Sequence, residues 1–312
     1  MTPVSKRELL VLVHIPKTAG TTLWRIMRHH YRGAWYQAGN AFRSFDSLEP
    51  RLAAIGRKRR ILAIGGHITF GVRALLPEAL YLTILRDPVE RTLSHYSYLV
   101  KTTGGRAAGL VAPWLPAPTP GLQLEDCLGP RNYIPDNLQT RMLCGIASPY
   151  DELPGDALAQ AKENLRERFA WVGTTERFDE FLALLDLELG WPTLPYARER
   201  AAAVRLRRDQ VLPEALRAVE EANALDRELH AYAGDLLERA LAAAGPELRT
   251  EVEVLRRACE AGGAPIAGLP VEARVALALK EAELARAEAE NRDLRKQLKK
   301  LRRQAAAQRP AG

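Results

Sequence analysis

The segment Pro16-Lys17-Thr18-Ala19-Gly20-Thr21-Thr22 has the residue types that bind an anion. It joins an apolar run, Leu9–Ile15, to an amphipathic pattern that begins at Leu23. A strand that passes through such a turn into a helix directs backbone N–H groups and the positive helix end at a phosphate or sulfate. The lysine precedes a single glycine, unlike the GxxxxGK[ST] signature of magnesium-dependent triphosphate sites. The pattern therefore predicts a small-anion site that needs no metal.

Arg86 and Ser94 form a second candidate anion site. Arg86 directly follows the apolar run Tyr81–Leu85. Asp87-Pro88-Val89-Glu90 then predicts a helix start, with an aspartate cap, a proline at the first position and a glutamate three residues after the cap. Ser94 falls two turns into that helix, on the side of Arg86. The alternative is an arginine that simply pairs with a neighbouring carboxylate.

His67 is the candidate base. It follows the apolar run Arg60–Ile64 through two glycines, and an imidazole can take a proton from a hydroxyl near neutral pH. A histidine that is hydrogen-bonded at a strand end for structural reasons is the alternative. His95, beside Ser94, is the second candidate base, whereas His14 is expected to pack within the first strand.

The pattern of apolar runs and helical segments predicts a three-layer α/β/α fold with a central parallel sheet, which would position these groups. Apolar runs, including a fourth at Phe169–Thr174, alternate with helical patterns. Further helices are expected in FDEFLALLDLEL, from Pro154-Gly155-Asp156 to about Arg168, and over 213–243 as one helix or two. Ligands bind beyond the carboxyl ends of such strands, where all three clusters fall.

The chain divides into a predicted domain over 1–245, a helical segment with a Gly/Pro linker over 246–270, a helix over 271–307 and a disordered end over 308–312. The helix carries a short heptad seam, which predicts a coiled coil; a solvated charged helix is the alternative. The seam residues are Leu284, Ala287, Asn291, Leu294, Leu298 and Leu301.

Charge and composition restrict the partners. The formal net charge is +7, but residues 271–312 hold eleven basic and six acidic residues, so the rest is nearly balanced. Nucleic acid is therefore not an expected partner of the rest of the chain, whereas the basic end of the tail could contact acidic lipid or nucleic acid. No stretch is apolar enough to span a bilayer, the first strand leaves no room for a signal peptide, and three scattered cysteines are typical of a reducing cytoplasm. Heavy Ala, Arg and Leu usage is typical of a GC-rich bacterium.

Taken together, HIPKTAGTTL and LRDPVERTLSHYSYL resemble the two nucleotide-binding signatures of sulfotransferases that use 3′-phosphoadenosine 5′-phosphosulfate (PAPS). GGHITFG is similar to the Gly-His-Val/Ile-x-Phe/Tyr element of the carbohydrate branch, which includes uronyl and heparan-type 2-O-sulfotransferases. AWVGTTERFDEFLALL and NALDRELHAYA are similar to the family's late strand and helix and to its C-terminal helix. Over about residues 8–240 the chain is identified as a bacterial member with the P-loop-like sulfotransferase fold.

The resemblance implies roles for individual residues. The first loop would hold the 5′-phosphosulfate, Arg86 and Ser94 the 3′-phosphate, and His67 would be the general base. Lys17 would also neutralise charge on the bridging oxygen. Arg198 and Arg200 fall where relatives close a basic loop over the nucleotide. The loop residues concerned are Lys17, Thr18, Ala19, Gly20, Thr21 and Thr22.

The implied enzyme transfers a sulfuryl group to a hydroxyl of a carbohydrate or glycolipid and releases adenosine 3′,5′-bisphosphate without a metal. Candidate acceptor contacts are four polar residues that follow the His67 element or the Gly/Pro-rich loop 102–136, which is expected to be a lid or acceptor site. Three aromatic residues, Trp35, Tyr36 and Trp114, could also stack on a sugar ring. Packing or solvated helix positions are the alternative for each of them. These residues are Arg73, Asn137, Gln139, Arg141, Trp35, Tyr36 and Trp114.

Two other functions stay open at this stage. A kinase with a degenerate phosphate loop would require magnesium and prefer ATP, but the sequence lacks a Walker lysine-serine pair. A scaffold that acts through its coiled-coil tail would not need the anion-binding residues and the base, yet all of them are present.

If the tail forms a coiled coil, removing it changes the oligomeric state. We expect the full chain to sediment as a homo-oligomer, and a chain truncated to residues 1–265 to sediment as a monomer, because the seam lies entirely within the removed segment. Analytical ultracentrifugation of both proteins measures this. Equal subunit numbers would contradict the coiled-coil prediction.

Overall fold

The computed structural model describes residues 8–40, 61–101, 121–191, 195–196, 206–262 and Lys280. In this part the strands are β1 (Leu10–Val13), β2 (Trp35–Asn40), β3 (Ala63–His67), β4 (Leu80–Leu85) and β5 (Phe169–Thr174). The α-helices are α1 (Gly20–His30), α2 (Pro88–Lys101), α3 (Leu138–Leu143), α4 (Ala157–Glu167), α5 (Phe178–Leu189), α6 (Pro213–Ala222), α7 (Ala224–Ala243) and α8 (Glu247–Gly262). Short 3-10 helices cover Phe70–Ala74, Glu125–Cys127, Thr175–Arg177 and Arg208–Gln210.

The described strands form one parallel sheet in the order β2-β3-β1-β4-β5. This confirms the predicted parallel sheet. Strand β1 is central, and near its end Val13 pairs with Gly66 of β3 and with Thr83 of β4. The Thr83 hydroxyl also donates to the Val13 carbonyl over 2.9 Å. The carboxyl ends of β3, β1 and β4 therefore lie side by side.

Helices cover both faces of the sheet, which confirms the three-layer arrangement. Val11 of β1 and Ile64 of β3 are in register and belong to one buried cluster. Helices α3, α4 and α7 contribute Leu138, Ala161 and Leu229 to that cluster. Gly65, next to Ile64, faces the opposite side, where an added Cβ would lie 3.3 Å from Trp24 of α1. Alternation along the strand thus places α1 on the second face.

The bounds of one predicted strand were wrong, and one strand was missed. The strand predicted at Arg60–Ile64 instead runs over Ala63–His67, because Gly65 and Gly66 pair with β1 rather than ending the strand. The strand β2 was not predicted, and it contains two of the candidate sugar-stacking aromatics. Trp35 contacts Trp24 edge to face with ring centroids 5.9 Å apart, and Tyr36 packs partly buried against the core. Both therefore have packing roles.

The helices predicted between residues 88 and 243 are confirmed, and the pattern over 213–243 forms two helices that break at Asn223. The helix α7 and the short helix α3 cap each other. The Asn137 amide oxygen accepts from the N–H groups of Leu225 and Asp226. In return, the buried Asp226 carboxylate accepts from the N–H groups of Gln139 and Thr140 and from the Thr140 hydroxyl. These bonds satisfy donors that helix starts leave without partners.

The chain divides into two compact units, one of residues 1–181 with 200–242 and one of residues 182–199 with 243–312. The first unit holds the sheet and every described site residue discussed below. The boundaries at 245 and 270, the helix over 271–307 and the end over 308–312 stay predictions, since residues 263–279 and 281–312 lie outside the described part. Within the described part, no helix is long and apolar enough to cross a bilayer.

We expect Asp226→Ala to lower the free energy of unfolding by about 2–5 kcal/mol, because it leaves buried donors of α3 without their acceptor. Urea unfolding followed by circular dichroism measures this. Asp235→Ala, on the exposed side of the same helix, is the matched control and should change stability by less than about 0.5 kcal/mol. Equal effects of the two substitutions would contradict the capping role.

Candidate active site

The turn between β1 and α1 has an unusual backbone. Lys17 (φ 71°) and Ala19 (φ 59°) adopt left-handed conformations although neither is glycine, which is strained for residues with a Cβ and common at ligand-binding turns. Gly20 is the first residue of α1, and a Cβ there would collide with the imidazole of His14. The turn is therefore fixed by its contact with His14 as well as by its own sequence.

The N-terminus of α1 is suited to an anion. Among the described residues, its first turn has no acidic side chain, and no side chain caps the helix at Ala19. The buried Thr18 hydroxyl donates to the Ile15 carbonyl over 2.9 Å and so closes the turn. Thr21 is exposed and Thr22 half-buried. The positive helix end, with these two hydroxyls, can therefore receive a phosphate or sulfate oxygen.

Arg86 connects the two predicted anion sites. Its Nη1 donates to the Lys17 backbone carbonyl over 3.0 Å, so the guanidinium reaches the β1–α1 turn from the end of β4. Its Nη2 lies 3.8 Å from the Glu90 carboxylate, a long and partly exposed ion pair. The alternative of an arginine paired with a neighbouring carboxylate thus describes only one part of its surroundings.

Helix α2 also contacts the turn through a residue that the sequence did not single out. The helix starts as predicted, with the Glu90 N–H donating to the Asp87 carboxylate over 2.8 Å. Ser94 is half-buried on this helix. One turn later, the Tyr98 ring lies under the Lys17 ammonium, 4.6 Å from ring centroid to Nζ. This cation–π contact orients the lysine. The sequence signal that could have identified Tyr98 is its spacing of four residues from Ser94.

His67 is held by His14 at the ends of β3 and β1. The His67 Nδ1 lies 2.8 Å from the His14 backbone oxygen, and because a carbonyl only accepts, Nδ1 carries a proton. In the neutral ring Nε2 is then the proton-accepting nitrogen. The two rings are tilted, with centroids 4.2 Å apart. His14 was expected inside the first strand, but it lies just beyond β1.

The charge state of His67 suits a base. Burial lowers the pKa of His67 to about 4, the Lys17 ammonium acts in the same direction, and the bond to the His14 carbonyl opposes them. Burial, His67 and Lys17 likewise hold the pKa of His14 well below its usual range. Both rings are therefore neutral at pH 7.

His95 does not suit the base role for which it was the second candidate. It is completely buried, and neither of its ring nitrogens has a hydrogen-bond partner among the described residues. Burial, followed by the Arg91, Lys17 and His67 charges, lowers the pKa of His95 well below its usual value. A ring without exposed surface cannot contact an acceptor hydroxyl, so His67 remains the candidate.

Comparison with known proteins gives the family. The model of the galactose-3-O-sulfotransferase family matches residues 2–262. The chain belongs to this family.

The chain is also similar to two heparan sulfate sulfotransferases, each over part of its length. Heparan sulfate 2-O-sulfotransferase 1 of Gallus gallus is 30% identical over 137 residues, which is 40% of this chain and 36% of that protein. Heparan-sulfate 6-O-sulfotransferase 1-B of Danio rerio is 28% identical over 227 residues, 62% of this chain and 54% of the relative. The chain therefore spans about a third to a half of the length of these relatives. A solved sulfotransferase from Alicyclobacillus acidocaldarius is similar at 17% identity and a TM-score of 0.41, covering 74% of this chain and 96% of that chain.

Three predicted acceptor contacts are structural instead. Asn137 and Gln139 are buried and bonded within the fold. Arg141 is 3% exposed and donates to the Asp136 and Asp151 carbonyls and to the Asp136 carboxylate. They were mistaken for ligand contacts because a polar side chain in sequence does not reveal its internal partner. Arg73 is half-buried in its 3-10 helix, whereas Trp114, Arg198, Arg200 and loop residues 102–120 lie outside the described residues.

We expect His67 to stay neutral, with the proton on Nδ1, down to about pH 4, because burial and Lys17 both oppose its protonation. Long-range ¹H–¹⁵N NMR of histidine-labelled protein reads both the tautomer and the titration, with His67→Gln assigning the signal. A midpoint near pH 6.5, or a proton on Nε2, would show that the described surroundings of His67 are wrong.

Proposed function

We propose that this protein transfers a sulfuryl group from PAPS to a hydroxyl of a carbohydrate or glycolipid. The observation that supports this most is the 3.0 Å bond between the Arg86 guanidinium and the Lys17 carbonyl. It brings the anion-binding turn after β1 next to the cation at the end of β4, while His67 ends β3 on the other side of β1. Membership of the family supports the same chemistry.

In this proposal, two groups of residues bind the two ends of the donor. The N–H groups of the turn, the Lys17 ammonium and the hydroxyls of Thr21 and Thr22 would receive the 5′-phosphosulfate; Thr18 contributes its backbone, because its hydroxyl is already bonded to Ile15. Arg86 and Ser94 would receive the 3′-phosphate. Arg198 and Arg200 are proposed to close over the nucleotide. No metal ion is part of this proposal.

In the proposed reaction, His67 and Lys17 each act on a different atom. The acceptor hydroxyl gives its proton to His67 Nε2 as its oxygen forms a bond to sulfur. In line with that attack, the bond between sulfur and the bridging oxygen breaks, and the electron pair leaves with adenosine 3′,5′-bisphosphate. The Lys17 ammonium stabilises the charge on that leaving oxygen, so catalysis rests on positioning and electrostatics.

Burial and the Lys17 ammonium lower the pKa of His67 to about 4. The phosphates of a bound donor would add negative charge beside Lys17 and Arg86 and so raise the pKa of His67. The base would thus strengthen when the donor is bound, which limits unproductive protonation of the site beforehand.

The acceptor class comes from the family and from what the relatives' names say of those proteins. For this chain a sugar hydroxyl is proposed, with neither the sugar nor the sulfated position specified. A cytoplasmic location, contact with the inner membrane and a homo-oligomer through the C-terminal helix are further proposals that come from the sequence alone.

We expect adenosine 3′,5′-bisphosphate to bind with chelator present and more tightly than ATP. Arg86→Ala should weaken this binding by about 10- to 100-fold, since it removes a charge-assisted contact to phosphate. His67→Ala should keep binding within a few-fold but lose transfer of radiolabelled sulfate to glycans accepted by the wild type. Isothermal titration calorimetry measures the binding, with Arg217→Ala, exposed on α6, as the matched control. Metal-dependent binding with a preference for ATP would favour a kinase, and near-normal turnover by His67→Ala would remove the proposed base.

A further inference from the structure

The backbone of Arg86 is held by one buried amide. The Gln139 side chain is completely buried. Its Oε1 accepts from the Arg86 N–H over 2.9 Å, and its Nε2 donates to the Arg86 carbonyl over 2.9 Å. Both ends of the amide therefore bond to the same residue, which fixes the peptide units on either side of the Arg86 Cα. Since the Cβ direction follows from those units, this clamp sets the starting point of the arginine side chain.

Gln139 is itself anchored. Its own N–H donates to the Asp226 carboxylate over 2.9 Å, and Thr140 next to it donates to the same carboxylate twice. The short helix α3 is thereby fixed to the start of α7, so the Gln139 side chain extends from a rigid support. Support of this kind allows one side chain to position another.

A second group holds the residue after Arg86. The Asp87 N–H donates to Glu176 Oε1 over 3.0 Å, and Glu176 Oε2 lies 3.1 Å from Nε2 of His230 on α7. Burial opposes ionisation of Glu176, but the bonds from His230 and Asp87 lower the pKa of its carboxyl to about 2. Two successive residues at the end of β4 are thus bonded to fixed side chains.

At its other end, the Arg86 side chain donates to the Lys17 carbonyl. Its direction depends on where its backbone begins, and Gln139 fixes that backbone at both polar atoms. We propose that Gln139 is a positioning residue for the nucleotide site: by clamping Arg86, it aims the guanidinium and creates the preference for a nucleotide with a 3′-phosphate. This rests on the proposed function, in which Arg86 receives that phosphate.

The test compares two nucleotides that differ in the 3′-phosphate alone. Calorimetry gives the ratio of affinities for adenosine 3′,5′-bisphosphate and adenosine 5′-monophosphate. We expect Gln139→Met, which removes both bonds at similar volume, to lower that ratio about tenfold while affinity for the monophosphate changes less than about twofold. A loss of folded protein would reduce both affinities equally and leave the ratio unchanged, so the ratio separates positioning from stability.

Control variants test whether Gln139 changes the affinity ratio through Arg86. Gln160→Met is the matched control, because the side chain of this half-buried glutamine on α4 bonds to the exposed Asp156 and not to Arg86. It should leave the ratio of the two affinities unchanged. In Arg86→Ala, adding Gln139→Met should lower the ratio little further, since the clamp acts through the arginine. Gln139→Asn, which keeps a buried amide but cannot span both Arg86 atoms, carries the test if Gln139→Met does not fold, and it should lower the ratio as well.

The outcomes separate this inference from the proposed function. A wild-type protein that binds both nucleotides equally would overturn the assignment of Arg86 to a 3′-phosphate. A wild type that prefers the bisphosphate, together with a folded Gln139 variant of unchanged ratio, would overturn the positioning role and leave the proposed function standing. Full additivity of the two substitutions would also contradict it.

Discussion

The hydrogen bond from the Arg86 guanidinium to the Lys17 carbonyl is the contact on which the site depends. It exists because β4 lies beside β1, so the residues that follow both strands meet at one edge of the sheet. Lys17 has a left-handed backbone, which presents its carbonyl to Arg86, while its ammonium rests on Tyr98. Lys17 thus accepts a hydrogen bond from one cation through its carbonyl and is itself a second cation, so both positive side chains lie at the same edge of the sheet.

The Lys17 and Arg86 cations follow neighbouring strands, and further positive charge beside them would cost stability. Part of the cost is avoided by keeping the imidazoles neutral: burial and neighbouring charge lower the pKa of His67 to about 4 and that of His14 well below its usual range. Arg91, a completely buried cation on α2, is opposed by the equally buried Asp226, which also caps α3. The same carboxylate therefore supports the charge balance, the short helix and, through Gln139, the position of Arg86. Removing it should affect all three.

The sequence predicted the elements that patterning controls. Apolar runs and start signals gave β1, β4, β5 and α2 within a residue or two, since buried parallel strands and capped helices leave strong local patterns. Strand prediction from the sequence failed at Gly65 and Gly66, where glycines continue β3. It also missed the edge strand β2, whose polarity is mixed and which contains Trp35 and Tyr36. It also misjudged Asn137, Gln139 and Arg141, whose partners are far along the chain: Gln139 lies 53 residues from Arg86, a separation that no local pattern encodes. His14 contacts His67 across the same separation.

The central claim is that one doubly phosphorylated adenosine bridges the turn at Lys17 and the guanidinium of Arg86. A crystal structure with adenosine 3′,5′-bisphosphate tests it most directly. The account predicts the 5′-phosphate on the N-terminus of α1, the 3′-phosphate on Arg86 and Ser94, and Nε2 of His67 facing the space beside the 5′-phosphate. A nucleotide bound elsewhere, or one whose 3′-phosphate lies away from Arg86, would contradict it.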